Sequence, residues 1–292
     1  MGKSKVFFIK EITPENLIKI YEEMGVSLKG KIAVKISTGE PGGHNFLNPN
    51  LIKDLVQELN GTIVECNTAY EGGRNTSKAH WKTIEDHGFK SIAPCDILDE
   101  HGEMSIPVQE GIHLKENIVG KSLKNYDSIL MLSHFKGHAM GGFGGALKNM
   151  SIGIASSRGK KLIHTSGTSE AFEDIFTADH NSFLESMADA DKSVMDFMGK
   201  ENIVYINIAN KLSVDCDCDA NPEEPKMADI GIMASTDPVA LDQACVDAVY
   251  NSSDDGKSHL IERMESRNGI HTIEAALKLG LGSRDYEIVE IY

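Results

Sequence analysis

The chain has 292 residues, enough to bury a core without disulfide staples, and its 40% hydrophobic and 25% charged residues are the mix of a folded globular protein. With 29 Lys and Arg against 44 Asp and Glu it carries a formal charge of −15, a field that repels a polyphosphate backbone and gives no basis for a nucleic-acid partner. No stretch approaches the ~18 apolar residues that span a bilayer, no signal-peptide pattern opens the chain, and five scattered cysteines do not form a secreted disulfide framework, so a cytoplasmic protein without membrane contact is expected.

Short β-branched runs predict strands over 5–10, 31–36, 62–66, 128–133, 203–208, 229–234 and 287–291. Several are apolar on every residue, the pattern of strands covered on both faces. Helical periodicity occupies 14–24, 49–59, 77–87, 180–198, 238–249 and 271–279. Thr13-Pro14 and Asp237-Pro238 are helix starts, a capping side chain followed by proline at the first helical position. The alternation predicts an α/β fold, a mostly parallel sheet with flanking helices, as a single domain over 1–292 or as two lobes near 1–125 and 126–292. Open α/β sheets bind ligands beyond the carboxyl ends of their strands. The unusual loops, 37–48, 67–76, 134–145 and 210–219, all follow strands and so are expected to share one edge.

The densest of these segments runs from His134 to Asn149, with His134, His138, Lys148 and the glycines Gly141, Gly142, Gly144 and Gly145. A glycine run leading into a helix-compatible stretch at 146–155 lets backbone approach a ligand and offers free N–H groups to an anion. Lys148 in the first turn opposes the helix dipole, which points to an anionic partner such as phosphate or carboxylate. A small anionic ligand is therefore expected at 141–145. His164 follows a basic stretch, Arg158 to Lys161. Cys216 and Cys218 alternate with aspartates, and soft ligands beside carboxylates imply metal or redox use. They are expected as reduced thiols near the cleft. The loop with Glu40 and His44 reads equally well as a turn. No phosphate-binding P-loop, nucleophile elbow or dinucleotide fingerprint is present.

The segments 35–42, 133–153, 214–219, 229–247 and 279–291 resemble the iron–sulfur-centre proteins of the domain of unknown function 362 family, nearly end to end. Many members insert a ferredoxin-type module after the position of His164. Here 165–200 holds no cysteine, and five cysteines are too few for the eight thiolates of a two-cluster ferredoxin, which is excluded. More distantly, the spacing of His138, Lys148 and His164 around GGALKNMSIGIAS is similar to lactate racemase, a nickel enzyme with a tethered pyridinium nucleotide. That resemblance implies an acid/base role for His138, joined by His134, cofactor contact by Lys148 and the glycines, and metal ligation by His164. The cofactor is left open: a divalent metal (nickel, zinc or iron) or a pyridinium nucleotide. The expected activity is a cofactor-dependent enzyme acting on a small carboxylate by proton or hydride transfer. The alternatives are a metal or iron–sulfur binding protein, with Cys216 and Cys218 among its ligands, and a small-anion-binding module.

Overall fold

The computed structural model describes residues 2–292. In chain order the strands are β1 Ser4–Ile9, β2 Ile32–Lys35, β3 Thr62–Glu65, β4 Cys95–Ile97, β5 Glu103–Pro107, β6 Glu116–Gly120, β7 Ser128–His134, β8 Lys136–His138, β9 Gly142–Gly144, β10 Ile203–Ala209, β11 Gly231–Ser235 and β12 Tyr286–Glu290. The helices are α1 Pro14–Glu23, α2 Pro49–Glu58, α3 Ser77–Asp86, α4 Ala146–Ile154, α5 Ser157–His164, α6 His180–Met198, α7 Pro238–Asn251, α8 Lys257–Ser266 and α9 Ile270–Lys278.

Eight strands form one sheet in the order β12-β1-β11-β10-β7-β2-β3-β4. All its pairings are parallel except the two made by β11, with β1 and β10. The fold is α/β with a mostly parallel sheet, and that sheet draws strands from both sides of residue 125. The expected helix starts hold: Thr13 accepts the Asn16 amide ahead of Pro14, and Asp237 accepts the amides of Val239 and Ala240 across Pro238.

Period-two alternation in the central strand β7 divides the core between the two faces. Leu130 and Leu132 join Leu17, Ile20, Ile52, Leu55 and Ile84 under α1, α2 and α3. Ile129 and Met131 join Leu147, Met150, Val194, Leu241 and Ala244 under α4, α6 and α7. All of these side chains are buried, which is why the strand reads as one continuous apolar run. Truncating Leu132 to alanine would cost about 2–5 kcal/mol, the usual range for a buried leucine.

The segment 134–145 is not an open loop. β8 and β9 pair antiparallel with His138 opposite Gly142, so the glycines close a hairpin. Gly142 has φ 78°, and a Cβ there would stand 2.9 Å from the Gly269 Cα, so the hairpin tip can pack against the start of α9 only without a side chain. Periodicity missed such short strands, along with α5 and α8.

Candidate active site

Strands β2, β3, β7 and β10 run parallel, so their carboxyl ends lie along one edge. A cavity of about 290 Å³ opens there, lined from beyond the ends of all four strands by Lys35 and Ser37, by Glu65, Tyr70 and Arg74, by His134, Lys136, His138, Gly144 and Gly145, and by Cys216 to Cys218. Helices α4 and α5 complete it with Lys148, Lys160, Lys161 and His164, and the apolar mouth carries Ile152, Phe172, Ile175 and Phe176.

The lining is cationic in an acidic protein: Lys35, Arg74, Lys136, Lys148, Lys160 and Lys161 face Glu65 and Asp217. Two internal networks hold three of these six cations, Lys35, Arg74 and Lys136. Glu65 accepts from Lys35 Nζ at 3.0 Å, Arg74 Nη1 at 3.1 Å and Thr38 N at 2.7 Å, and Arg74 Nε continues to Glu40 at 3.0 Å. Burial alone would raise the Glu65 pKa, but the Lys35 and Arg74 charges outweigh it and hold the carboxyl well below the usual range. Asp217 is the second hub. One oxygen meets His134 Nδ1 at 2.8 Å and the other accepts from Lys136 Nζ at 3.0 Å, and these partners overcome burial to depress its pKa as well.

Lys148 belongs to neither network. It sits in the first turn of α4 with no ion-pair partner among the described residues, and burial, followed by the neighbouring Lys136 charge, pushes its pKa down to about 7. An amine at that pKa is partly neutral at physiological pH and can act as a nucleophile or take up charge when an anion arrives.

The start of α4 differs from expectation. Asp242 of α7 accepts the amides of Ala146 and Leu147 at 2.8 and 3.0 Å, so two of the free donors of the helix end are satisfied by the protein's own carboxylate. A Cβ on Gly145 would stand 2.4 Å from Asp242 Oδ1, which accounts for glycine at that position. Gly144 and Gly145 line the cavity, whereas Gly141 and Gly142 lie outside it and serve the hairpin. Two of the amides expected to face an anion at 141–145 are thus engaged within the protein, and the cations reaching into the cavity are side chains.

The three histidines differ in what they have left to offer. His134 Nδ1 faces Asp217, and its Nε2 faces the Asn210 carbonyl at 2.6 Å, so neither nitrogen is free to take a substrate proton. Both nitrogens of this expected acid/base residue are thus engaged within the protein. His138 Nδ1 accepts the amides of Met140 and Gly141 at 3.2 and 2.8 Å, which places the ring proton on Nε2. Burial first, then Lys148 and Lys136, pushes its pKa well below the ordinary value, so the ring is a neutral N–H donor. His164 is the complement. Its Nδ1–H donates to the Lys160 carbonyl at 2.6 Å, leaving the lone pair on Nε2, and the ring stacks on Phe183 with centroids 4.6 Å apart. Burial lowers its pKa to about 4.

Cys216 and Cys218 lie beyond β10 at the cavity wall, as expected, but joined in a disulfide rather than reduced. Their Cα atoms are 5.2 Å apart, inside the range a disulfide bridges. With His138 they place three donor atoms within 4.8 Å of one another. His164, the other expected metal ligand, is not in that group. A metal does not fit the group in this state, because the sulfurs are bonded to each other and the nitrogen nearest Cys218 is the protonated Nε2. The second post-strand loop divides: Glu40 is buried against Arg74, while His44 pairs with Glu224 at the surface.

Sequence reasoning passed over Lys35, Glu65, Arg74, Lys136, Lys160, Asp217 and Asp242. A signal existed for some of them. Lys35 and Glu65 are charges at the carboxyl ends of otherwise apolar strands, and Asp217 stands between the two cysteines.

Fold and cavity together define an α/β protein with a cation-lined, histidine-bearing cleft at the carboxyl edge of a parallel sheet. The chain belongs to the family described as "Domain of unknown function (DUF362)", whose model matches residues 32–247. No curated protein matches it. Among solved structures it is similar to the lactate racemase apoprotein from Thermoanaerobacterium thermosaccharolyticum, at 12% identity and TM-score 0.41, over 70% of this chain and 50% of that one. It is also similar to a protein from Thermotoga maritima, at 15% identity and TM-score 0.48, over 83% of this chain and 61% of that one. The chain thus spans less than two thirds of either structure. No helix among the described residues is long and apolar enough to cross a membrane.

Proposed function

We propose that the chain, acting as one domain in the cytoplasm, is an enzyme that binds a small carboxylate in this cavity and moves a proton on it. One observation carries the reading. A neutral N–H donor (His138), an imidazole lone pair (His164) and an uncommitted amine of lowered pKa (Lys148) line the same cavity. His164 Nε2 is the base that takes the proton next to the carboxylate. His138 Nε2–H donates to the oxygen on which charge develops, without itself ionising. The lysines and Arg74 stabilise the resulting anion in a site largely removed from water. His134 and Asp217 hold Lys136 in place.

Lys148 is the residue that would hold a phosphate-bearing cofactor such as a pyridinium nucleotide, and the cationic lining fits that group. Were that group to carry a metal, the His164 Nε2 lone pair would be its ligand and would no longer take a proton. Such a group supplies hydride or electron-sink chemistry when bound.

The test is solvent deuterium exchange into the carbon beside the carboxylate, followed by NMR across a panel of small 2-hydroxy and 2-oxo acids. The reading expects exchange with at least one acid, abolished by His164→Gln with the fold intact. Exchange that survives His164→Gln, or none across the panel with protein as isolated from its source, contradicts it.

A further inference from the structure

The Cys216–Cys218 disulfide is not a structural staple buried in the core. It stands as a partition. On one side is the cation-lined cavity, and on the other a second, more open cavity of about 360 Å³ lined by Tyr70, Glu71, Ala139, Asp215 and Asp219. The two cysteines are unequally buried: Cys216 is 5% exposed, whereas Cys218 is half-buried. The surroundings differ in the complementary sense. The backbone N–H of Cys218 points at Cys216 Sγ, at 3.1 Å. His138, whose proton is fixed on Nε2 by the two amides at Nδ1, presents that nitrogen 4.0 Å from Cys218 Sγ and within 4.8 Å of Cys216 Sγ. A more exposed cysteine beside a sheltered one whose sulfur already accepts a backbone N–H is the arrangement of an attacked atom and its leaving group.

We propose that Cys216 and Cys218 form a thiol-exchangeable redox pair, with small thiols as substrate and His138 as the donor that steadies the departing thiolate. A thiolate RS⁻ enters from the outer cavity and attacks Cys218 Sγ. A new S–S bond joins it to Cys218 as the Cys216–Cys218 bond breaks, and the electron pair leaves on Cys216 Sγ. That thiolate is held by the Cys218 N–H. A second RS⁻ attacks the external sulfur of the mixed disulfide, forming RSSR and releasing the Cys218 thiolate, which departs beside His138 Nε2–H. The two protons that the incoming thiols gave up to solvent return to the two cysteines. The pair is reduced by two electrons and two RSH are oxidised to one RSSR. The exchange shares His138 with the carboxylate chemistry above but not His164, so His164→Gln, which should leave thiol exchange intact, separates the two.

The experiment reads thiols on the folded full-length chain, with dithiothreitol as reductant and iodoacetamide trapping followed by peptide mass analysis. Cys66 and Cys245 are buried and serve as the internal control for unfolding. The expected result is two new modified sites per chain at Cys216 and Cys218 with Cys66 and Cys245 unlabelled. In the Cys216→Ser variant Cys218 alone reacts with an activated aromatic disulfide. His138→Leu slows reduction at least about tenfold with Cys66 and Cys245 still unlabelled, and His138→Gln, which restores an N–H donor, recovers part of the rate. Reduction that appears only together with labelling of Cys66 and Cys245 overturns the proposal. So does equal reduction by wild type and His138→Leu, or first attack at Cys216 in the trapped mixed disulfide.

Discussion

Asp242 of α7 accepts the backbone N–H of Ala146 at 2.8 Å, closing the positive end of α4 from within the protein. The same carboxylate accepts from Leu147 N and from the Asn207 side chain at 2.7 Å. A helix end that sequence alone offers to a ligand is thereby taken, and anion recognition falls to the side chains at the cavity wall. Replacing Asp242 with alanine strands three buried donors, at about 1–3 kcal/mol each. We expect a marked fall in melting temperature without a gain in anion affinity. A variant that melts normally and binds phosphate more tightly would show the helix end to be the site after all.

Asp217 has the opposite kind of environment, a carboxylate between His134 and Lys136. Asp217→Asn leaves Lys136 with a buried charge and no counter-ion, a change that typically costs about 3–5 kcal/mol. Chemical denaturation should show that loss above pH ~5 and less of it in acid. The sign follows from linkage: the folded pKas of Asp217 and Glu65 lie below their unfolded values, so their contribution is present above the unfolded pKa and is lost as pH falls through the folded one. Equal destabilisation at both ends of the pH range would remove the ion pair as its cause.

Asp191 behaves in the reverse sense. Both of its carboxylate oxygens are buried without a hydrogen-bond partner, and burial, reinforced by Asp242, raises its pKa well above 3.8. The folded state therefore keeps a proton that the unfolded chain releases, so stability declines as pH rises from about 4 through the folded pKa. Asp191→Asn abolishes that decline. Its melting temperature should exceed wild type by more near pH 8 than about pH 5. A pH-independent difference would rule out ionisation as the source.

How much of this the sequence shows depends on whether a property is periodic or assembled. The strands β2, β3, β7 and β10 and the helices α1, α2, α3, α6 and α7 are legible because burial on a sheet face or helix stripe repeats at a fixed period. The hairpin β8–β9 is not, because three-residue strands such as Lys136–His138 carry no period, and glycine there reads as loop. His138, Lys148 and His164 stand out by residue type and spacing. What each can do is set by partners that sequence distance conceals: Asp217 for His134, two local amides for His138, Asp242 for the start of α4. The disulfide is concealed for a related reason, since C-x-C spacing fits reduced ligands and a bonded pair equally well.

The central claim is that this cavity is an anion site built on Lys148, and calorimetric titration of the full chain with pyrophosphate and with a small carboxylate tests it most directly. With its pKa near 7, the free amine carries charge below that value and loses it above. Anion affinity in wild type should fall as pH rises from about 6 to about 8.5. Lys148→Met keeps the stem and deletes the charge. It should bind more weakly at the lower pH by on the order of 1–3 kcal/mol, roughly 5- to 150-fold, with little pH dependence and a melting temperature no lower than wild type. Equal affinity in the two proteins, or no binding of either anion by wild type, would contradict the account.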